Sequence, residues 1–302
     1  MHAAPMVTET LLIHHSLWGF SGDLDAAITQ ARRHGFDGLE ANLRHPVFTG
    51  LDPAAIREAL AAHGLSLIVE LVTGGDYVPD LAISPRQHLA ELGEQLQQAQ
   101  ALQPRRISLI TGSDSWPAAS QQEFLAEALR LVAGSTVPVS FETHRSRSLF
   151  NPWTIAELLQ ALPQLRLTAD LSHWCCVSER LMTPELEPIR AMAERVDHIH
   201  ARVGQAQGPS VGHPFAPEAA EALEAHRRCW QLFTAAQLAR GQTPITITPE
   251  FGPDGYLPCL PFSGEPVADL LEINSAMARW LRDGALEPQP SSATSSSPIS
   301  RP

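Results

Sequence analysis

Short apolar runs alternate with longer amphipathic segments along most of the chain. The short runs mix apolar with hydroxyl or charged residues at a period of two, which predicts buried strands. The longer segments begin at helix-capping or helix-starting residues such as Asp23, Pro53 and Pro85, and two of them end at glycine. The predicted strands cover residues 11–15, 38–41, 65–72, 106–110, 139–142, 165–170, 196–200 and 245–250. The predicted helices cover residues 24–34, 53–63, 85–102, 121–132, 154–162, 184–194, 218–240 and 267–282.

Each predicted strand is followed by a predicted helix, which indicates parallel strands joined by helical crossovers. Eight such units predict a single closed (β/α)8 TIM barrel in the α/β class, rather than an open doubly wound sheet. No GxGxxG or Walker A loop follows the first strand, which agrees with this choice. We assign residues 1–285 to the barrel domain, and we predict that the Ser- and Pro-rich residues 286–302 form a disordered tail.

The charge and the absence of long apolar runs narrow the class of partner. The formal net charge is −12, which argues against a nucleic-acid partner because that binding uses clustered Lys and Arg. No apolar stretch approaches about 20 residues, so we predict no membrane span. The first residues lack a basic segment followed by an apolar run, so we predict no signal peptide. We therefore expect a protein of the reducing cytoplasm, in which the adjacent Cys175 and Cys176 are packed thiols.

The last four predicted strands all end in side chains that can ligate a metal, and these are Glu142, Asp170, His200 and Glu250. On each of the three acidic strands, the bulky apolar residues occupy the face opposite the carboxylate. We therefore expect the apolar residues to face the helices and the carboxylates to face the mouth of the barrel. Barrel enzymes carry their active sites at this end of the strands.

Three carboxylates and one imidazole form a hard, oxygen-rich ligand set. Such a set favours one Mn²⁺, and Mg²⁺, Co²⁺ and Zn²⁺ remain compatible with it. The rival interpretation is that the acids pair with Arg or Lys in salt bridges at the barrel rim. We expect such rim pairing for Glu40, Glu70 and Asp114, which lie near the ends of earlier strands.

The order of these ligands on strands five to eight resembles the xylose isomerase-like TIM-barrel superfamily, over nearly the whole domain. Its members include sugar isomerases and epimerases, inosose dehydratases and endonuclease IV. In the ketose 3-epimerases of this superfamily, the residues that match Glu142, Asp170, His200 and Glu250 bind the metal. The two matching glutamates also exchange protons with the substrate, and the histidine that matches His173 touches substrate oxygens.

Three local motifs extend the resemblance, and they are Glu-Thr-His-Arg-Ser-Arg at 142–147, His-Ala-Arg-Val-Gly at 200–204 and Thr-Pro-Glu-Phe-Gly at 248–252. They are similar to motifs of an uncharacterised bacterial group labelled sugar phosphate isomerase/epimerase. That label was inferred from fold, so it names a class and no substrate. The chain departs from endonuclease IV because it lacks the full set of extra ligands for a three-zinc cluster.

Four further residues are candidates for substrate binding, each with a structural alternative. His173 and His144 can donate to substrate oxygens or can be hydrogen-bonded core histidines. Arg202 can clamp a substrate oxyanion or can neutralise the ring of carboxylates. Trp18, in the loop after the first strand, can form an apolar wall for a sugar ring or can pack at the rim.

The resemblance implies a metal-dependent sugar isomerase or epimerase, in which Glu142 and Glu250 act as bases next to a carbonyl and the reaction passes through an enediolate. The enzymatic alternative is a lyase or dehydratase, in which the same enolate expels a β-substituent. A nuclease for abasic DNA and a sugar-binding barrel without turnover are alternatives from other classes. We expect a small carbohydrate substrate and no nucleic-acid or membrane partner. The sequence leaves a homo-oligomer open.

Overall fold

Residues 6–287 are described by a computed structural model, in which eight parallel strands close into a barrel in sequence order. The predicted single (β/α)8 TIM barrel is therefore confirmed. The strands are β1 (Leu11–Ser16), β2 (Gly38–Asn42), β3 (Ser66–Val72), β4 (Arg106–Ile110), β5 (Val139–Glu142), β6 (Leu167–Ala169), β7 (Val196–His200) and β8 (Ile245–Thr248). The predicted disordered tail lies outside the described residues from position 288 onward.

Capping residues set the starts of several helices where the sequence predicts them. The side chain of Asp23 accepts a hydrogen bond from the backbone N–H of Ala26, and Ser84 forms a capping box with Gln87. Within residues 6–287, no helix is long and apolar enough to cross a membrane. The helices are α1 (Val7–Thr10), α2 (Leu24–Arg33), α3 (Pro53–Ala62), α4 (Pro85–Ala101), α5 (Ala118–Val132), α6 (Ile155–Ala161), α7 (Leu171–Ser178), α8 (Glu187–Met192), α9 (Ala220–Ala239) and α10 (Leu270–Trp280).

Two helices, α1 and α7, are additional to the predicted eight units, so the prediction of strictly alternating elements is wrong at these points. Helix α7 follows β6 directly, with Asp170 as its N-cap. Five of its eight residues are buried, beginning with Leu171. Because the helix is covered on most sides, its sequence lacks the polar face that would have predicted it. Asp170 therefore ends a strand and also begins a helix.

Polar side chains fill much of the barrel interior. The hydroxyl of Thr168 lies 2.8 Å from that of Ser140 and accepts a hydrogen bond of 3.0 Å from that of Ser108. The opposite strand faces carry apolar residues such as Phe141 and Ile247, which are buried in the core between the barrel and its helices. Branched apolar side chains usually dominate such interiors. Here the polar interior continues upward into the carboxyl end of the barrel.

The amino end of the barrel is held by a cluster of charges around Asp197, near the start of β7. Its carboxylate contacts Arg166, lies 3.4 Å from Arg106 and lies 2.7 Å from Arg240. Although burial acts to raise it, the three guanidinium groups hold the pKa of Asp197 below its usual value. Charges at this end of a TIM barrel serve stability rather than chemistry.

Candidate metal centre and active site

The four predicted metal ligands converge at the carboxyl ends of β5 to β8. Glu142 and His200 are the last residues of β5 and β7, Asp170 follows β6, and Glu250 lies just beyond β8. All four side chains belong to buried residues. One donor atom from each lies within 4.8 Å of the others. The structure thus brings together residues that are separated by up to 108 positions in the chain.

Two buried atoms of this group have no hydrogen-bond partner, namely Nδ1 of His200 and Oε2 of Glu142. Nδ1 of His200 lies 3.6 Å from that Oε2 and 3.1 Å from Oε2 of Glu250. A buried polar atom without a partner costs roughly 1–3 kcal/mol. A cation among these atoms would satisfy both. Carboxylate oxygens with one imidazole nitrogen suit a divalent metal such as Mn²⁺, Mg²⁺ or Zn²⁺, so the donor set fits such an ion.

The electrostatics of the group also follow from burial and crowding. Burial and the negative charges of Glu250 and Asp170 raise the pKa of Glu142 to about 7, against the lowering effect of His200. Burial acts to lower the pKa of His200, but the surrounding carboxylates raise it well above its usual value. The group therefore holds excess negative charge, which attracts a cation.

The other ring nitrogen of His200 is held by Glu40, from the end of β2. Nε2 of His200 lies 3.0 Å from Oε1 of Glu40, and Nε2 of His198 lies 3.1 Å from Oε2. His198 in turn has its Nδ1 2.8 Å from the hydroxyl of Thr246. Because Glu40 accepts at Nε2, the neutral ring that binds a metal would keep its proton on Nε2 and present the lone pair of Nδ1 to the ligand group. Glu40 thereby fixes which nitrogen can bind a metal.

Arg202 lies among the carboxylates and makes the neutralising contacts. Its guanidinium contacts Asp170 and lies 3.3 Å from Oε2 of Glu250. It also donates from Nε to the hydroxyl of Ser172 at 2.9 Å. Burial acts to lower the pKa of Arg202, but the charges of Asp170 and Glu250 raise it further above its already high value. Of the two interpretations offered by the sequence, neutralisation is the one for which the structure provides partners.

A cavity of about 290 Å³ opens above the ligand group. This volume is close to the lower end of small-molecule sites, roughly 300 Å³. All four predicted substrate-binding residues line it. The rings of His144 and His173 lie 3.9 Å apart between centroids, and the indole of Trp18 packs edge-on against Tyr256 at 4.7 Å. Tyr77 and Tyr256 also line the cavity, and Tyr77 was not identified from the sequence, because it comes from an irregular loop.

The expectation of rim salt bridges for Glu40, Glu70 and Asp114 is wrong. Glu40 is buried against His198 and His200, and Asp114 is exposed without a cationic partner among residues 6–287. Glu70 is buried and accepts a hydrogen bond from the amide of Asn42 at 3.0 Å. Burial and the charges of Glu142 and Glu250 raise the pKa of Glu70 to about 8.

A signal for these two glutamates exists in the sequence. Glu40 and Glu70 both lie near the carboxyl ends of strands, as the four predicted ligands do. The inward positions of β2 and β3 could therefore have been added to the candidate site.

Comparison with known proteins agrees with the barrel and its connectivity. The family model for the xylose isomerase-like TIM barrel matches residues 28–217. D-Allulose 3-epimerase from Methylomonas sp. in complex with D-allulose has a TM-score of 0.60 at 17% identity, over 93% of this chain and 99% of that chain. The probable 3-DHS dehydratase of petrobactin synthesis from Bacillus anthracis has a TM-score of 0.57 at 15% identity, over 90% and 98%. The IOLI protein with a bound zinc atom has a TM-score of 0.63 at 10% identity, over 90% and 97%.

At these identities, the similarities to solved structures show the fold alone. No curated protein matches the sequence.

Proposed function

The chain belongs to the xylose isomerase-like TIM-barrel family, and from this premise we propose that it is a divalent-metal-dependent isomerase or epimerase of a small sugar or sugar derivative. The observation that carries the proposal is the buried group of Glu142, Asp170, His200 and Glu250, of which Glu142 and Glu250 line the cavity. A cation would satisfy its unpartnered atoms, and its position is where barrel enzymes perform chemistry. One similar fold binds a ketohexose and another holds zinc, which supports a small carbohydrate and a metal.

The four residues would hold the metal, and the two glutamates would also transfer protons. A divalent cation held there would polarise a carbonyl oxygen and offset the negative charge that develops during proton removal. Glu142 ends β5 and Glu250 lies just beyond β8, with β6 and β7 between these two strands. Adjacent strands lie about 4.8 Å apart, so the two carboxylates approach the cavity floor from different sides. One can remove a proton from one face of the carbon, and the other can return a proton to the opposite face.

Arg202 and His173 would orient the substrate beside these bases. Arg202 holds Asp170 and Glu250 in fixed positions. Nε2 of His173 lies 3.9 Å from Oε1 of Glu142, and the His173 ring lines the cavity. Both side chains are fully or almost fully buried, so their geometry changes little when a substrate enters.

The test is proton exchange during turnover in D₂O. The full-length protein loaded with Mn²⁺ is incubated with a set of ketohexoses and 3-keto-glycosides, and the products are followed by NMR. Two bases predict solvent deuterium at the inverted carbon from the first turnover. Glu142→Gln and Glu250→Gln are each expected to stop exchange, and the metal content of both variants is measured alongside.

Two results would contradict the proposal. One is the absence of exchange and turnover with every substrate in a protein whose metal content is one equivalent. The other is product that carries no deuterium, which would exclude two exchanging bases. A matched control is Glu9→Gln, because Glu9 is an exposed acid of α1 far from the described cavity.

A dehydratase or lyase is a second candidate, and Glu70 favours it. Expulsion of a β-hydroxyl requires an acid that protonates the departing oxygen. Glu70 lines the same cavity, is hydrogen-bonded to Asn42, and has a pKa raised to about 8 by burial and by neighbouring carboxylates. The raised pKa favours the protonated form of Glu70, which is the form that this role needs. In the D₂O experiment, loss of a β-substituent without an inverted sugar, abolished by Glu70→Gln, would establish this reaction.

A further inference from the structure

Arg145 projects from the loop after β5 into the wall of the cavity. Its guanidinium carbon lies 4.6 Å from the centroid of the Tyr256 ring, and Nη1 lies 3.9 Å from Sγ of Cys176. Among residues 6–287, no carboxylate oxygen lies within 4.0 Å of its nitrogen atoms. A guanidinium carries five N–H donors, so Arg145 retains donors that the protein does not use.

The two neighbouring arginines are in a different situation. Arg202 is occupied by Asp170, Glu250 and the hydroxyl of Ser172. Arg147 donates to four backbone carbonyls of the loops after β3 and β4, and these belong to Thr73, Asp76, Tyr77 and Gly112. Arg145 is thus the arginine of this region whose charge and donors face a ligand rather than the protein.

The acids that line the cavity are Glu70, Asp76, Glu142, Glu250 and Asp254, and none of them forms an ion pair with Arg145. Glu142 and Glu250 line the floor, and Asp254 lies on the side of Trp18, whose indole N–H donates to it at 3.0 Å. With a divalent cation and Arg202, the charges of Glu142, Asp170 and Glu250 are balanced. Among residues 6–287, Arg145 has no carboxylate partner, so its positive charge attracts negative charge to its side of the cavity.

A second unused donor belongs to His173, which lines the same cavity as Arg145. Nε2 of His173 lies 2.8 Å from Nη2 of Arg202, which can only donate, so Nε2 accepts. The proton of the neutral ring is therefore on Nδ1, and that atom is buried without a hydrogen-bond partner. The ring of His173 lies 3.9 Å from that of His144, the residue directly before Arg145, with the two ring planes tilted by 48°. Arg145 and His173 thus both line a cavity whose floor is acidic, and each has a donor that no described protein group uses.

We propose that Arg145, together with His173, forms an anion subsite, and that the substrate is a keto sugar derivative with a carboxylate or phosphate group. This inference rests on the proposed isomerase or epimerase function and adds the substrate class to it. The keto end of the substrate lies over the acidic floor, and the anionic group lies against Arg145. The planar guanidinium can bind either a carboxylate or a phosphate through two parallel hydrogen bonds.

The test compares neutral and anionic ligands by isothermal titration calorimetry on the full-length protein loaded with Mn²⁺. The ligands are D-fructose, D-fructose 6-phosphate, 5-keto-D-gluconate and inorganic phosphate. Charge-assisted hydrogen bonds predict that at least one anionic sugar binds about 10- to 100-fold more tightly than D-fructose. The comparison of the phosphate ester with the sugar acid shows which anionic group the subsite takes.

Arg145→Gln is expected to remove this preference, and Arg145→Lys to retain part of it, because lysine keeps the charge but not the planar donor pair. Arg180→Gln is the matched control, since Arg180 is an exposed arginine whose guanidinium stacks on Trp153 at 5.2 Å. Equal affinity for neutral and anionic ligands in the wild type would overturn the proposal. An anion preference that persists in Arg145→Gln would overturn it too.

The outcomes also separate this inference from the proposed function. If deuterium exchange fails with every substrate while the anion preference depends on Arg145, the reaction is wrong and the subsite stands. If sugars are turned over, but Arg145→Gln changes kcat/KM for the anionic sugars no more than for D-fructose, the subsite is wrong and the reaction stands.

Discussion

The candidate site consists of buried charged residues that neutralise one another. Asp170 is fully buried, and its partners are Arg202, the hydroxyl of Ser172 and the backbone N–H of Ser172. Burial is the largest influence on its pKa and raises it, and the charge of Arg202 lowers it. Removal of one member of such a pair leaves the other charged and desolvated. At this scale, the contacts that form the candidate metal site also contribute to the stability of the fold.

Asp170→Ala is therefore expected to act twice. It removes a proposed ligand, so the metal content of the purified protein should fall far below one equivalent. It also leaves Arg202 with one carboxylate fewer and removes the N-cap of α7, so the metal-free protein should lose on the order of 3 kcal/mol of unfolding free energy. Urea denaturation and elemental analysis measure the two effects.

The matched control is Asp114→Ala, because Asp114 is an exposed acid at the same end of the barrel. It should keep both metal content and stability. Full metal occupancy in Asp170→Ala would contradict the ligand assignment, whatever the change in stability.

A second prediction at this scale concerns Glu40, which touches His200 on the side away from the ligand group. Glu40→Gln keeps the volume but places an N–H group where one of two imidazoles needs an acceptor. The ring of His200 can then turn or carry its proton on Nδ1. We expect the affinity for Mn²⁺ to fall about 10- to 100-fold, as measured by competition with a fluorescent chelator.

His14→Asn provides the comparison for Glu40→Gln. His14 is also buried in the barrel interior, where Nε2 lies 2.8 Å from the hydroxyl of Ser66, but it makes no hydrogen bond to Glu40 or His200. Both variants should lose stability, and only Glu40→Gln should lose metal affinity. Equal affinities in the two variants would show that Glu40 has a structural role alone.

These residues also show what the sequence could and could not predict. The group of Glu142, Asp170, His200 and Glu250 follows from strand parity and from a closed barrel, because both bring the strand ends together. The partners of Glu40 and Glu70 do not follow, since they depend on which side chains meet across the barrel. Glu40 on β2 contacts His198 and His200 on β7 across the barrel interior. Neither the hydrophobic pattern nor the residue spacing along the chain indicates such a contact.

At the scale of elements, the position of the site residues depends on the packing of the loop after β7 against helix α7. Gly204 packs so closely on Ser172 that a Cβ added to Gly204 would lie 2.6 Å from the Cα of Ser172. The backbone N–H of Gly204 donates to Nε2 of His226, on α9, at 3.2 Å. Ser172 in turn touches both Asp170 and Arg202. The position of Arg202 thus depends on a contact between two backbones.

The sequence predicted the eight strands and the main helices because their period and their caps are local properties. It did not predict α7, whose eight residues carry no charge and are mostly buried. The close approach of Gly204 to Ser172 was not predictable either, because it results from packing between elements. Loops that hold the site are for this reason less accessible to sequence analysis than the strands that carry it.

Gly204→Ala is expected to displace the loop after β7 and to lower the unfolding free energy by about 1–3 kcal/mol, since the new methyl group overlaps the backbone of Ser172. Gly208→Ala, in the same loop, is the control, because its nearest neighbours would lie 3.8 Å away. Urea denaturation of both variants measures the difference. Equal stability of the two variants would show that the backbone contact is not required.

At the scale of the whole molecule, the polar barrel interior makes the fold sensitive to acid. Burial is the largest cause that lowers the pKa of His14 to about 3 and of His226 to about 4. The Nδ1 of His226 donates to the carbonyl of Ala222 at 2.8 Å, and its Nε2 accepts from the backbone N–H of Gly204. A second proton on Nε2 would therefore break the hydrogen bond from Gly204. These histidines stay neutral in the folded chain and become protonated on unfolding.

The sign of the pH dependence follows from this difference. Between the unfolded pKa near 6.5 and the folded pKa near 4, the unfolded chain binds the proton of His226 and the folded chain does not, so the unfolding free energy falls as the pH falls. The contribution of His226 is about 1.4 kcal/mol per pH unit in this window. Carboxyls with raised pKa values, such as Glu70, act in the opposite direction, so the total pH dependence of the unfolding free energy does not isolate the histidine.

We therefore compare how the unfolding free energy changes between pH 6.5 and 4.5 in the wild type, in His226→Gln and in the exposed-site control His63→Gln. Urea denaturation at each pH measures it. His226→Gln should be less stable at pH 7 but should lose less stability on acidification, whereas His63→Gln should follow the wild type. Equal slopes in all three proteins would contradict the assignment of acid sensitivity to buried neutral histidine.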